Sequence, residues 1–239
     1  MRVNWNLIKG LVLMALLVFL YAFSANKNGA RKVSGIAVNF TSDNNLFITN
    51  ESVNKLLIQN EQGVTELPKE ILDLNGLETA LKSNPMIKTA EVYLTVNGEV
   101  RAEVEQRKPI ARVATNASFY IDDEGKFMPL STNRSARVPL VTGQILKNDL
   151  NDVFQIAKMI HDDDFLKIHI VEIHQSREKQ FTLKTRKLDF EIFLGSLNHL
   201  EKKINNLKAF YQKAMKDETL TNYKKVNLQF ENQVVCTKK

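Results

Sequence analysis

Apolar and polar positions follow three different rhythms along this chain. Residues 10–23 are apolar without interruption, with Trp5 and Lys9 ahead of the run and Tyr21 within its last turn. A helix from Trp5 to Phe23 would be roughly 28 Å long at about 1.5 Å per residue, close to the hydrocarbon thickness of a bilayer. From Val33 onwards short periodic segments take over. Ile36, Val38 and Phe40 alternate as one face of a strand. Residues 50–59 place Val53, Leu56 and Leu57 on one side of a helix after a Thr49-Asn50 cap signal, and residues 77–83 form a second helix ended by Pro85. Residues 90–104 then read as two alternating strands around Asn97-Gly98.

The register of that hairpin follows from burial. A two-residue turn at Asn97-Gly98 would set Val96 opposite Glu99 and Leu94 opposite Arg101, so neither face could be buried. A three-residue loop with Gly98 left-handed, forming a G1 bulge, pairs Leu94 with Val100 and Val92 with Ala102 on a common face. The predicted order is strand, helix, helix, strand, strand, a small α+β domain of roughly 75 residues.

After Pro109 a second domain is expected. Residues 110–113, 119–121 and 127–130 read as strands, the latter two joined by Asp122-Asp123-Glu124-Gly125. A helix over 149–160 follows an Asn148 cap, and alternating runs cover 168–173, 181–183 and 188–194. A longer helix over 197–215 buries Leu197, Leu200, Ile204, Leu207, Phe210 and Met215 and leaves Lys202, Lys203 and Lys208 wet; the last strand is 226–235.

Composition narrows the chemistry. The 239 residues carry 33 Lys+Arg against 27 Asp+Glu, a formal charge of +6 spread along the chain, which does not mark a nucleic-acid binder. The single Cys236 excludes an internal disulfide and every Cys-x-x-Cys motif. Nine Gly, never closer than the six positions between Gly29 and Gly35, exclude G-x-G-x-x-G, the P-loop and G-x-S-x-G. His169 and His174, an odd number apart on a strand, would face opposite ways with no third ligand for zinc. His161-Asp162-Asp163-Asp164 lacks the alternating ligands of a calcium loop and reads as a solvated helix exit. Glu103 and Glu105 share a strand face but carry no assigned catalysis. Arg101, Arg107, Lys108, Lys184, Arg186 and Lys187 are candidates to touch anionic lipid or glycan polymer, against a default of scattered surface charge.

Three fates fit the apolar run: a retained transmembrane anchor, a signal peptide cleaved near Ala22-Phe23-Ser24, or a helix buried in a soluble globule. The positive-inside rule is nearly balanced between Arg2 and Lys9 on one side and Lys27, Arg31 and Lys32 on the other, and the short N-terminal arm argues for a cytoplasmic amino end.

The landmarks together resemble the bacterial cell-division family FtsQ, also called DivIB. The matching pieces are the N-terminal span after a short arm, Ser83-Asn84-Pro85-Met86-Ile87-Lys88-Thr89-Ala90-Glu91-Val92, and Val104-Glu105-Gln106-Arg107-Lys108-Pro109-Ile110-Ala111. They continue with Tyr120-Ile121-Asp122-Asp123-Glu124-Gly125, Val138-Pro139-Leu140-Val141-Thr142-Gly143 and a C-terminal segment from Val226 to Val235. The chain departs from the family in its short arm and in Gln229, where the family usually has Arg. The resemblance implies an α+β architecture: a cytoplasmic arm (1–9), a transmembrane helix (10–25), a POTRA domain of β-α-α-β-β order (26–107), a mixed α/β "β-domain" with an extended antiparallel sheet (108–235) and a C-terminal tail (236–239).

It further implies a non-enzymatic divisome scaffold in the inner membrane, with the amino end cytoplasmic, the bulk periplasmic and enrichment at the septum. It needs no cofactor, nucleic acid or small-molecule substrate, and it binds FtsB- and FtsL-like bitopic proteins to help regulate septal peptidoglycan synthesis. Carried onto this chain, the partner-binding edge is Phe230, Glu231, Asn232, Gln233, Val234 and Val235, where backbone pairing would add a partner strand. The residues alone leave open a cleaved exported enzyme, a POTRA-type envelope accessory, or an ordinary edge strand whose lysines discourage aggregation.

Overall fold

The computed structural model describes residues 5–29, 32–41, 47–60, 72–115, 118–230 and 232–239. The chain divides into two compact units, Met1–Gln106 and Arg107–Lys239.

In the first unit, helix α1 spans Trp5–Gly29. Its stretch Ile8–Lys27 has a mean hydropathy of 2.1 and no burial within the protein, so it is long and apolar enough to cross a membrane. The rest of the unit has the order β1 (Gly35–Phe40), α2 (Asn50–Asn60), α3 (Leu74–Lys82), β2 (Ile87–Leu94) and β3 (Glu99–Gln106). The strands form a sheet in the order β1-β3-β2, with β1 parallel and β2 antiparallel to β3. Leu94 lies opposite Val100 and Val92 opposite Ala102, the pairing that burial demanded, and Gly98 sits at φ 87°, where a side chain would be strained.

β1 extends the same rows, since Ile36 pairs with Val100, Val38 with Ala102 and Phe40 with Val104. One apolar face thus runs across three strands. The helices close it with Val53, Leu57, Leu77 and Leu81, all fully buried. Asp73 caps α3 by accepting from the Gly76 amide at 2.9 Å.

The second unit is one nine-stranded mixed sheet. Its strands are β4 (Pro109–Ala114), β5 (Ser118–Asp122), β6 (Phe127–Met128), β7 (Leu140–Gly143), β8 (Ile170–Gln175), β9 (Phe181–Thr185), β10 (Glu191–Gly195), β11 (Tyr223–Asn227) and β12 (Val235–Lys238). The order across the sheet is β12-β11-β10-β9-β8-β7-β4-β5-β6. The pairs β4/β7, β7/β8 and β10/β11 are parallel. Parallel neighbours need long crossovers. Helices α4 (Asn151–Asp162) and α5 (Asp164–His169) supply one between β7 and β8, and α6 (Leu200–Lys216) supplies another between β10 and β11. Val153, Ile156 and Ile160 of α4 and Ile204 and Leu207 of α6 share one core with Ile173, Leu183, Ile192 and Val226 of the strands.

Several local expectations are corrected. The helix expected over 149–160 starts at Asn151, because Asp149 first turns back to donate to the Leu146 carbonyl at 3.0 Å; Asn148 is not its cap. The strand expected from 168 begins at Ile170, because Asp163 accepts from the Leu166 amide at 3.0 Å and starts a further helical turn, leaving Ile168 exposed. His169 therefore ends a helix rather than lying on a strand with His174. Residues 140–143, which no alternation marked, form β7 inside the sheet.

Lys203, expected on the wet face of its helix, is 6 % exposed, with its ammonium donating to the carbonyls of Leu194 at 2.9 Å and Ser196 at 2.7 Å, while Met215 is exposed. The strand expected over 226–235 is two strands, Tyr223–Asn227 and Val235–Lys238, and residues 236–238 belong to the edge strand rather than to a tail.

Candidate functional site

The open C-terminal edge of the large sheet is built by α6, β11 and β12. A left-handed His199, at φ 54°, starts α6 immediately after β10. The buried Lys203 ammonium, held below its usual range by burial, closes that turn on the Leu194 and Ser196 carbonyls. Phe210 of α6 packs edge-on against Phe190 at 6.3 Å and Tyr223 at 5.3 Å, so an aromatic row supports the start of β11. Asp163 and Lys208 form an ion pair that ties α6 to the start of α5. Burial alone would raise the Asp163 carboxyl, but Lys208 and the Leu166 amide hold it below the usual carboxylate range.

β11 ends where the Asn227 side chain accepts from the Gln229 amide at 2.9 Å, a local turn that stops the ladder. Gln229, where the resemblance expects Arg, lies over Gly195; a Cβ there would come within 2.8 Å of its Cγ, and Gly195 has φ +68°. The connection then carries the exposed Phe230, Asn232, Gln233 and the half-buried Val234, which packs against the core. Lys202 of α6 holds Asn232 at 3.0 Å. Glu231 lies outside the described residues.

β12 pairs antiparallel with β11, Cys236 opposite Val226 and Val235 opposite Asn227. Among the described residues nothing pairs with its other side. The Lys239 amide donates to the Asn222 carbonyl at 2.9 Å. Strand alternation then turns the amides of Val235 and Thr237 toward β11 and those of Cys236 and Lys238 toward the open side. Cys236 packs on the core and burial pushes its thiol up, away from the reactive thiolate. Val235 and Thr237 face the other way, beside Lys225, which stands 4.5 Å over the Phe193 ring.

Of the five described edge residues expected from sequence, Val235 lies on the edge strand, and Phe230, Asn232, Gln233 and Val234 form the turn leading into it. Cys236, Thr237 and Lys238 were missed. The apolar pair Val234-Val235 after the polar run Glu231-Asn232-Gln233 is the signal that locates them. The other expected position, Asn97-Gly98, is a hairpin turn of the first unit.

The motif residues in the second unit have structural work. Arg107 donates to the fully buried Asp122 at 2.6 Å, and the other Asp122 oxygen accepts from the amides of Glu124 at 3.0 Å and Lys126 at 2.7 Å. That carboxylate fastens the turn between β5 and β6. Among the described residues no group of three His, Cys, Asp or Glu is placed to hold a metal ion.

Comparison with known proteins assigns both units. The family model described as "FtsQ/DivIB, C-terminal related" matches residues 108–237, and a POTRA-like domain model matches residues 33–105. A cell division protein FtsQ of Geotalea daltonii is 23 % identical over 180 residues, covering 70 % of this chain and 64 % of that protein. A cell division protein FtsQ of Myxococcus fulvus is 32 % identical over 73 residues, covering 30 % and 26 % respectively. The matched segments thus span less than two thirds of these relatives. With the C-terminal model covering more than half of the sequence, and a POTRA-like unit ahead of it, the chain belongs to the FtsQ/DivIB family.

Proposed function

We propose that this chain is a membrane-anchored, non-enzymatic scaffold of the division machinery that captures small bitopic partners of the FtsB and FtsL type by adding their backbone to β12, and so helps regulate septal peptidoglycan synthesis. In this reading α1 is a single span with the amino end cytoplasmic, and the bulk of the chain is periplasmic and enriched at the septum. The observation that carries the reading is the open side of β12, with the Cys236 and Lys238 amides turned outward, on a chain of this family.

An unpaired strand edge is a template for another strand, with main-chain bonds supplying affinity and alternate side chains supplying selectivity. Partner residues on one side would meet Val235 and Thr237, and on the other Cys236 and Lys238. Lys202, Lys224, Lys225 and Lys238 make the surroundings basic, which favours a partner with acidic residues flanking its strand.

Lys238→Pro tests it, because proline removes an outward amide without removing a bond to β11. The full chain in nanodiscs is expected to capture the partner pair about tenfold less well, whereas Lys238→Gln, which keeps the amide, stays within about threefold of the parent. Equal capture by the proline variant, with thermal unfolding unchanged, would overturn the edge assignment.

A further inference from the structure

A second feature of the C-terminal unit lies away from β12 and is independent of the scaffold reading. At the amino ends of the mutually parallel strands β4, β7 and β8, a cleft of about 280 Å3 opens over the buried side chains of Ile110, Ile160 and Ile170. Arg137, His161, Lys167 and Arg186 line it, and among the described residues no carboxylate does. They come from four separate segments: the approach to β7, the end of α4, α5 and the turn after β9. Their convergence is therefore a product of the fold and not of one basic run.

Some cations elsewhere in the unit, such as Arg107, Lys126, Lys179 and Lys208, have a carboxylate within ion-pair distance, while others among the described residues, such as Lys108, Lys187, Lys224 and Lys225, do not. Among the described residues Arg137, Lys167 and Arg186 have none. Arg186 is also fixed in place, with its Nε donating to the Ile168 carbonyl at 3.2 Å and its amide to the His169 carbonyl at 2.8 Å. The carboxy end of α4 faces the cleft with the equivalent of about half a negative charge, too little to offset three permanent cations. His161 is kept below its usual range by burial and then by the Lys167 charge; Asp162 and Asp123 act the other way without prevailing.

We infer that this cleft is a binding site for a multiply charged phosphoryl group, such as a diphosphate, carried by a soluble molecule or by a lipid. Guanidinium forks from two directions match phosphoryl oxygens, and a concave surface with a low-dielectric floor focuses the field of the cations. Three cations around one small cleft call for more than one negative charge on the ligand. The apolar floor suits a ligand whose uncharged part enters beside its phosphates.

The probe is inorganic pyrophosphate, titrated by calorimetry at physiological salt into the full chain in phosphatidylcholine nanodiscs. Saturable binding is expected, weakened at least about tenfold by Arg137→Gln combined with Arg186→Gln. Lys224→Gln combined with Lys225→Gln removes the same charge from β11, three strands away from β8 in the sheet, and is expected to change binding by less than about twofold. Repeating the titration in phosphatidylglycerol nanodiscs identifies the source: competition by the bilayer points to a lipid phosphate, undiminished binding to a soluble one. Absence of saturable binding by the parent, or equal losses in the two double variants, would overturn the site.

Discussion

Asp122 has no exposed surface, yet both of its oxygens are used, one by Arg107 and the other by the amides of Glu124 and Lys126. A carboxylate so placed is favourable only while all three donors remain, because its desolvation is otherwise uncompensated. Asp122→Ala is expected to lower the unfolding free energy of the full chain by about 3–5 kcal/mol, measured by denaturant titration in detergent. A loss below about 1 kcal/mol would mean that water replaces the carboxylate and that the ion pair contributes little. Lys203 solves the same problem with the opposite charge and a different partner, two backbone carbonyls at the end of β10. Both residues carry charge where the core begins. Helix periodicity places Lys203 near the boundary of the apolar stripe, and only the carbonyls that arrive from β10 decide that its stem goes inward.

Helices α5 and α6 meet through Phe165, His169 and Tyr211, whose rings lie 4.6 to 5.0 Å apart, and Tyr211 is within 3.3 Å of the His169 Nδ1. Burial and then the Lys187 charge hold His169 below the ordinary 6.5, while the Asp163–Lys208 pair lies between the same helices. The unfolded chain therefore takes up this proton at higher pH than the folded one, and stability present above pH 6.5 is lost as pH falls through the folded value. Thermal unfolding of the full chain is expected at lower temperature as pH drops below 6.5, with a shallower fall in His169→Gln; an unchanged slope would exclude this residue as a cause. This junction was not legible in the sequence, because Ile168-His169-Ile170 alternates as a strand would, and only the Asp163 cap makes the first two helical. The hairpin around Gly98 was legible down to its register, since turn chemistry and alternation lie within one short stretch. The C-terminal edge was legible as a region but not by residue, because the side-chain turn at Asn227 and the Lys202–Asn232 tie decide where β12 starts.

On the scale of the whole molecule, α1 is the one described helix long and apolar enough to span a bilayer, and none of that stretch is covered by the rest of the protein. A row such as Leu11, Val12, Leu13, Met14, Leu16 and Leu17 left in water is not a stable state of a soluble protein, so lipid must cover it or cleavage must remove it. The two fates differ in what they do for β12. A four-residue edge strand offers few backbone bonds, and under the proposed function, confining it to the membrane that holds the proposed partners would turn a weak encounter into a local one, with gains of about 10² or more. Replacing α1 with a cleavable leader is therefore expected to release the rest of the chain into the soluble fraction and to lower partner capture in cells at least about tenfold. Replacing it with an unrelated single span should keep both attachment and capture. If the leader version captures partners as well as the parent, and the parent itself is extracted by alkaline carbonate, α1 is a signal segment and β12 acts without tethering.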